Sequence, residues 1–298
     1  MEGERQLGEF LKARRSGLRP QDVGLATYGD RRRVPGLRRE ELAQLAGVSA
    51  SYYARLEQGQ SSHASPEVLD AIARVLSLDD AGRQYLHDLA SGVRHRGPKR
   101  RPAPERITPA ARQLVTSLGD VPALLLGRRG DVLAWNMTGH AVFAGHLAPD
   151  APDLPGQRPN MARLVFLDAH TREQYADWPA KARAVAAGLR MSSGQYPDDP
   201  QLSDLVGELT VKSAEFAAMW ARHRVKSGTE AGVYKMRHPL VGTMTVTQHT
   251  LRLERGQHVV LATTEIGSPS HAAMTLLAHT AATSAAASEA RQAQPDRT

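Results

Sequence analysis

Between Arg31 and Arg39 the chain reads RRRVPGLRR, five arginines in nine residues, and a short polar stretch, Ala50-Ser-Tyr-Tyr-Ala-Arg55, follows. A guanidinium group grips phosphate, and at a base edge it bonds guanine bidentately; serine serves several bases, and alanine or tyrosine contacts a thymine methyl. The spacing puts Ala50, Ser51, Tyr52 and Arg55 on the exposed side of one short helix, with Tyr53 and Leu56 three apart on its inner side. Those four are the candidates for base contacts, although Arg55 pairing with Glu41 or Glu57 is the competing reading. Arg38 and Arg39, at the start of the preceding helix, are candidates for phosphate contacts. Arg31, Arg32 and Arg33 either lie along the backbone or a minor groove, or form a solvated loop. Glu57 points away from these positions and is expected to bridge Arg14 or Arg15.

The residue types missing from the chain narrow the alternatives. It has no cysteine, which excludes disulfides, thiol catalysis and thiolate metal sites. Its 12 histidines are scattered, and no H-E-x-x-H, G-x-S-x-G, Walker or G-x-G-x-x-G pattern occurs. His223, in Trp220-Ala-Arg-His-Arg-Val225, and His238, before Pro239, each read either as a pocket polar group or as a structural hydrogen bonder. No catalytic residue, metal or cofactor is therefore expected. An enzyme with a DNA-binding extension would need His223, His238 and a carboxylate converging in one cleft.

The formal charge is +7 over 298 residues, yet residues 107–282 hold 17 basic and 15 acidic side chains, so the excess lies towards the N-terminus. That asymmetry favours a polyanionic partner for the first part of the chain. There is no run of about 20 apolar residues, and MEGERQLGEFLKARR lacks an apolar signal core, so a cytoplasmic protein without a membrane partner is expected.

Helices must position the arginines. Leu7, Phe10 and Leu11 define the stripe of a first helix; Leu42, Leu45 and Ala46 belong to a second, ended by Gly47 as a left-handed cap. Ser49 caps a third that stops at Gly59, Ser65-Pro66 starts a fourth with Leu69, Ile72, Val75 and Leu76 inward, and a fifth carries Tyr85, Leu86 and Leu89. Two short helices meeting across Gly47-Val48 have the spacing of a helix-turn-helix, whose second helix enters the major groove. The fold class expected is a mainly α, five-helix domain over 1–92, a basic, proline-rich linker over 93–106, an α+β domain over 107–280 and a disordered tail over 281–298. In the α+β part, Val121 to Leu126 and Asp131 to Trp135 read as a hairpin and Asn136 as a helix cap. Helices are expected at 171–189, 201–209 and 213–221, and an antiparallel meander after His238-Pro239.

The pattern Leu37…Glu41-Leu42-Ala43…Gly47-Val48-Ser49…Arg55-Leu56-Glu57…Gly59 resembles the phage-repressor or XRE helix-turn-helix family, in its actinobacterial form with an Arg-rich insertion between helices 1 and 2. Arg39 stands where that family commonly has a glutamine. The order Asp131-Val-Leu-Ala-Trp-Asn136, Leu205-Val-Gly-Glu-Leu209, Phe216…Trp220…His223 and His238-Pro-Leu-Val-Gly242 is similar to the MmyB-like ligand-binding domain that follows this helix-turn-helix. The resemblance implies a PAS-like antiparallel sheet backed by helices, holding a small hydrophobic molecule such as a fatty acid. Trp135, Phe143, Met161, Phe166, Trp178, Phe216, Met219 and Trp220 are candidate pocket walls, with Asn136 or His223 at a polar end. A homodimer on a pseudo-palindromic double-stranded DNA operator is expected, with repression the simpler outcome. The alternatives are an autoregulating DNA-binding protein whose second domain binds a protein, and the enzyme above.

Overall fold

The computed structural model describes residues 2–25, 36–60, 64–94, 105–154, 156–222, 231–253 and 256–292. In chain order the helices are α1 (Glu2–Gly17), α2 (Arg39–Leu45), α3 (Ala50–Glu57), α4 (Pro66–Val75), α5 (Asp80–Arg94) and α6 (Pro109–Ser117). A hairpin of β1 (Ala123–Leu126) and β2 (Val132–Trp135) leads to α7 (Met137–Ala144), α8 (Met161–Leu167), α9 (Ala169–Gln174) and α10 (Trp178–Gln195). Next come α11 (Pro200–Lys212), α12 (Ala214–Ala221), the strands β3 (Gly232–His238), β4 (Gly242–Arg252) and β5 (His258–Thr263), and α13 (Pro269–Gln292). They form two compact units, one from residues 1–103 and 186–227, the other from 104–185 and 228–298; the boundary falls within α10.

The core of the first unit follows from the helical periodicity. Leu7, Phe10 and Leu11 of α1, Leu42 and Ala43 of α2, Tyr53 and Leu56 of α3, Leu69 and Ile72 of α4, and Tyr85, Leu86 and Leu89 of α5 are buried together. Phe10 meets Tyr85 edge-on, with ring centroids 5.1 Å apart. Leu45, expected inside, is 40% exposed because it lies on the last turn of a seven-residue helix, where only one side faces the core. Residues 186–227 add to this unit: Met191 packs against the helix-turn-helix core, and a Cβ on Gly194 would stand 2.3 Å from the Tyr85 ring.

The second unit is an antiparallel five-stranded sheet in the order β2-β1-β5-β4-β3. This agrees with the expected α+β architecture. Leu125 pairs with Val259 and Ala123 with Leu261, and these residues with Leu133 and Val115 of α6 make the core on one face. On the other face, Met236 pairs with Met244 across β3 and β4, and Met244 and Val246 have no exposure. Thr243 and Thr245 alternate with them to the outside, as period two requires. The helix expected over 171–189 is instead two. Pro179 has no N–H to bond the Tyr175 carbonyl, and Asp177 accepts the Ala180 N–H at 3.0 Å to start α10; the intervening backbone pairs with the edge of β3, where Tyr175 bridges Met236 and the Ala176 N–H donates to the Lys235 carbonyl. The C-terminal segment read as a disordered tail from 281 begins inside α13, which extends to Gln292 and buries Met274, Leu277, Ala278 and Ala281.

Candidate nucleic-acid interface and sensing domain

The turn between α2 and α3 is built by local chemistry. Gly47 has φ +69°, a left-handed conformation that a Cβ would disfavour, and the Val48 N–H then donates to the Ala43 carbonyl at 3.0 Å. Ser49 is extended, and its Oγ accepts the Tyr52 N–H at 3.1 Å, which starts α3. At the other end of the unit's first connection, the Leu37 N–H donates to the Leu18 carbonyl at 2.9 Å, so the chain re-enters beside α1 immediately before α2.

An ion-pair cluster locks these helices. Glu57, whose side chain has no exposure, accepts two bonds from Arg15, from Nε at 2.7 Å and Nη2 at 2.8 Å. Arg15 Nη1 also donates to the Leu37 carbonyl at 2.6 Å. From the start of α2, Arg39 reaches Glu57 Oε1 with Nε at 3.0 Å and Nη2 at 2.9 Å. Burial pushes the Glu57 carboxyl up, but the bonds from Arg15 and Arg39 outweigh it and hold the group below the usual carboxylate range. The Arg15 partner read from sequence for Glu57 is the one observed. Arg39 differs from expectation in that its guanidinium is oriented by Glu57, leaving it 43% exposed.

With Glu57 committed, the outer side of α3 is left open. Ala50, Ser51 and Arg55 are exposed and Tyr52 is half-buried. Ser51 Oγ lies 3.2 Å from Ser49 Oγ. Glu41, the other acid considered for Arg55, accepts the Arg38 N–H at 2.7 Å in a capping arrangement, and Arg55 forms no ion pair among the described residues. Arg38 is exposed at the head of α2. Arg31, Arg32 and Arg33 lie outside the described residues.

The candidate pocket residues fall in both units. Phe216 and Trp220 belong to the first unit, where their rings stack 5.4 Å apart and the Arg190 guanidinium covers Trp220 at 3.9 Å. Trp135, Asn136, Phe143 and Phe166 belong to the second. There Phe143 is buried, Phe166 meets Trp178 edge-on at 5.9 Å, and the Trp135 indole donates to the Pro149 carbonyl at 2.7 Å. Asn136 has no hydrogen bond to spare. Its Oδ1 accepts from the N–H groups of Ala123 at 3.0 Å and Gly139 at 2.7 Å, and its Nδ2 donates to the carbonyls of Gly119 at 3.0 Å and Val121 at 2.7 Å. It caps α7, as its position predicts, and ties that helix to the β1 edge. His238 is likewise spent: Nδ1 accepts the Leu240 N–H at 3.3 Å, which leaves Nε2 to donate to the Ala141 carbonyl at 3.0 Å. Burial holds its pKa down, consistent with a neutral, structural ring. His223 lies outside the described residues.

A buried lysine was not legible as a site. Lys181, on the first turn of α10, donates from Nζ to Gln248 Oε1 at 2.7 Å, and the Gln248 amide donates to the Tyr175 hydroxyl at 3.2 Å. The ammonium lies 5.2 Å from the ring centroids of both Tyr175 and Tyr234. A lone lysine among alanines and arginines in a helical stretch carries no signal in sequence; only the strand pairing that sets Gln248 beneath α10 reveals it.

A short recognition helix with an open polar side, behind a capped turn, defines a helix-turn-helix DNA-binding protein, here joined to an α+β unit. Comparison with known families agrees: a helix-turn-helix domain model matches residues 6–86, and the model of the MmyB-like transcription regulator ligand binding domain matches residues 107–277. The second match covers more than half of the chain, which therefore belongs to the MmyB-like transcription regulators, a family of regulators rather than enzymes. No curated protein sequence matches the chain closely. Among the described residues no helix is long and apolar enough to cross a membrane.

Proposed function

We propose that this regulator acts in the cytoplasm as a homodimer on a pseudo-palindromic operator, represses by occupying it, and is switched by a small hydrophobic ligand, a fatty acid being one candidate. The observation that carries the reading is the open side of α3, where Arg55 keeps its guanidinium unspent while Glu57 is consumed by Arg15 and Arg39. Ala50, Ser51, Tyr52 and Arg55 read base edges, and Arg38 and Arg39 hold phosphate, Arg39 in a direction set by Glu57. Arg31, Arg32 and Arg33 add contacts to the backbone or an adjacent minor groove. One recognition helix covers only a few base pairs, so two related by a dyad supply specificity.

The ligand acts by favouring one of two arrangements of the DNA-binding units. α10 is a covalent route for that coupling, since residues 178–185 belong to the sensing unit and residues 186–195 to the DNA-binding unit. The aromatic residues Trp135, Phe143 and Phe166 supply apolar wall in the sensing unit.

A binding titration on an operator obtained by in vitro selection tests the reading. Arg55→Ala should cost about 1–3 kcal/mol on that operator and little on random duplex, whereas Arg38→Ala should weaken both and reduce the salt slope by about one unit. Equal losses on both duplexes for Arg55→Ala would refute base reading by this residue.

A further inference from the structure

Lys181 is 8% exposed, and among the described residues no carboxylate pairs with it. Among the described residues its one hydrogen-bond acceptor is a neutral amide, so two of the three ammonium protons have no strong acceptor there. Leaving a charge buried and unpaired is costly, and the chain places it at the positive end of a helix, which favours an anion nearby. Its other neighbours are the faces of Tyr175 and Tyr234. The Tyr175 hydroxyl accepts from Gln248 and retains its own proton to donate. Burial lowers the Lys181 pKa to about 8, so the group remains mostly charged near neutral pH.

Two further polar atoms of this unit are buried without hydrogen-bond partners among the described residues, Thr171 Oγ1 and Gln174 Oε1, one turn apart on α9. Along the sheet face that carries Gln248, the neighbouring residues are Met236, Met244 and Val246, all without exposure. Methionine adapts its shape readily to an alkyl chain. The cation of α10 and the hydroxyl of the α9–α10 connection therefore meet the sheet at Gln248, on the face where β3 and β4 carry these adaptable apolar side chains.

We propose that Lys181, assisted by the Tyr175 hydroxyl, anchors the anionic head of the ligand, a small molecule with a carboxylate on an apolar body. This rests on the ligand-sensing reading above. The carboxylate accepts hydrogen bonds from the Lys181 ammonium and the Tyr175 hydroxyl, and the apolar body lies towards Met236, Met244 and Val246.

Calorimetric titration of the delipidated full-length protein with decanoate and with 1-decanol tests the anchor, using the wild type, Lys181→Met and Tyr175→Phe. Lys181→Met should weaken decanoate by about tenfold or more, as expected for a lost charge-assisted bond, and leave decanol within about twofold. Tyr175→Phe, which removes only a hydroxyl, should weaken decanoate severalfold and spare decanol, and it keeps the test open if Lys181→Met folds poorly. Unchanged decanoate binding in both variants, or equal losses for the two ligands, would overturn the anchor while leaving ligand sensing intact. A wild-type protein that binds neither molecule would overturn both readings.

Discussion

Glu57 illustrates how one side chain decides what its neighbours are free to do. By accepting from Arg15 and Arg39 it fixes α1, α2 and α3 together and leaves Arg55 open. Replacing it by glutamine keeps the shape but strands the Arg15 charge, which is 11% exposed, and should destabilise the first unit by about 3 kcal/mol at pH 7. The sign of the pH dependence follows from linkage. Because the folded-state pKa lies below the ordinary value of 4.5, the stabilisation is present above that pH and disappears as pH falls through the folded value. Urea unfolding of wild type and Glu57→Gln should therefore show a gap at pH 7 that narrows below about pH 4. A gap independent of pH would mean that the loss is steric and not electrostatic.

At the scale of elements, the recognition helix depends on its first turn. α3 is only eight residues long, too short to persist without packing and a cap. Ser49→Ala removes the acceptor for the Tyr52 N–H and should cost about 1 kcal/mol, read as a lower thermal midpoint, with operator affinity falling because the helix end that faces DNA frays. If the melting curve is unchanged while affinity drops, Ser49 acts on DNA directly and the cap is not its role. The break between α9 and α10 has a local and a distant part. Pro179 cannot donate to the Tyr175 carbonyl as a continuous helix would require, and Asp177 caps the new helix by accepting the Ala180 N–H at 3.0 Å. The strand β3, some sixty residues away, supplies partners for the backbone freed at Tyr175 and Ala176; the apolar periodicity alone, which runs through the break, does not mark it.

For the whole molecule, the joint between residues 186–227 and the helix-turn-helix core carries the most consequence. Gly194 leaves the Tyr85 ring no room for a side chain, so Gly194→Leu should destabilise the first unit by about 1–3 kcal/mol through overpacking. Tryptophan fluorescence near Trp220 and circular dichroism during thermal unfolding would report it. A wild-type melting curve would show that the segment does not depend on this contact. The composition of 107–280 reads as one body and the family match runs continuously from 107 to 277, yet contacts group 186–227 with the DNA-binding helices.

The helix-turn-helix was legible because its determinants are local: a left-handed glycine, a serine cap and an apolar stripe each act within a turn or two of chain, and the Arg15–Glu57 bond follows from which sides the helices bury. The alternation of Met244 and Val246 with Thr243 and Thr245 likewise announced a strand with one covered side. Residue types alone left the sensing residues open. Asn136 and His238 had the chemistry to hold a ligand, and folding spent that chemistry on backbone groups of Ala123, Gly139, Ala141 and Leu240. Lys181 had none of the marks of a site until strand pairing set Gln248, Tyr175 and Tyr234 around it. Capability belongs to a side chain and is written in the sequence; whether a polar group is satisfied depends on partners distant in the chain, and only the tertiary structure brings those together.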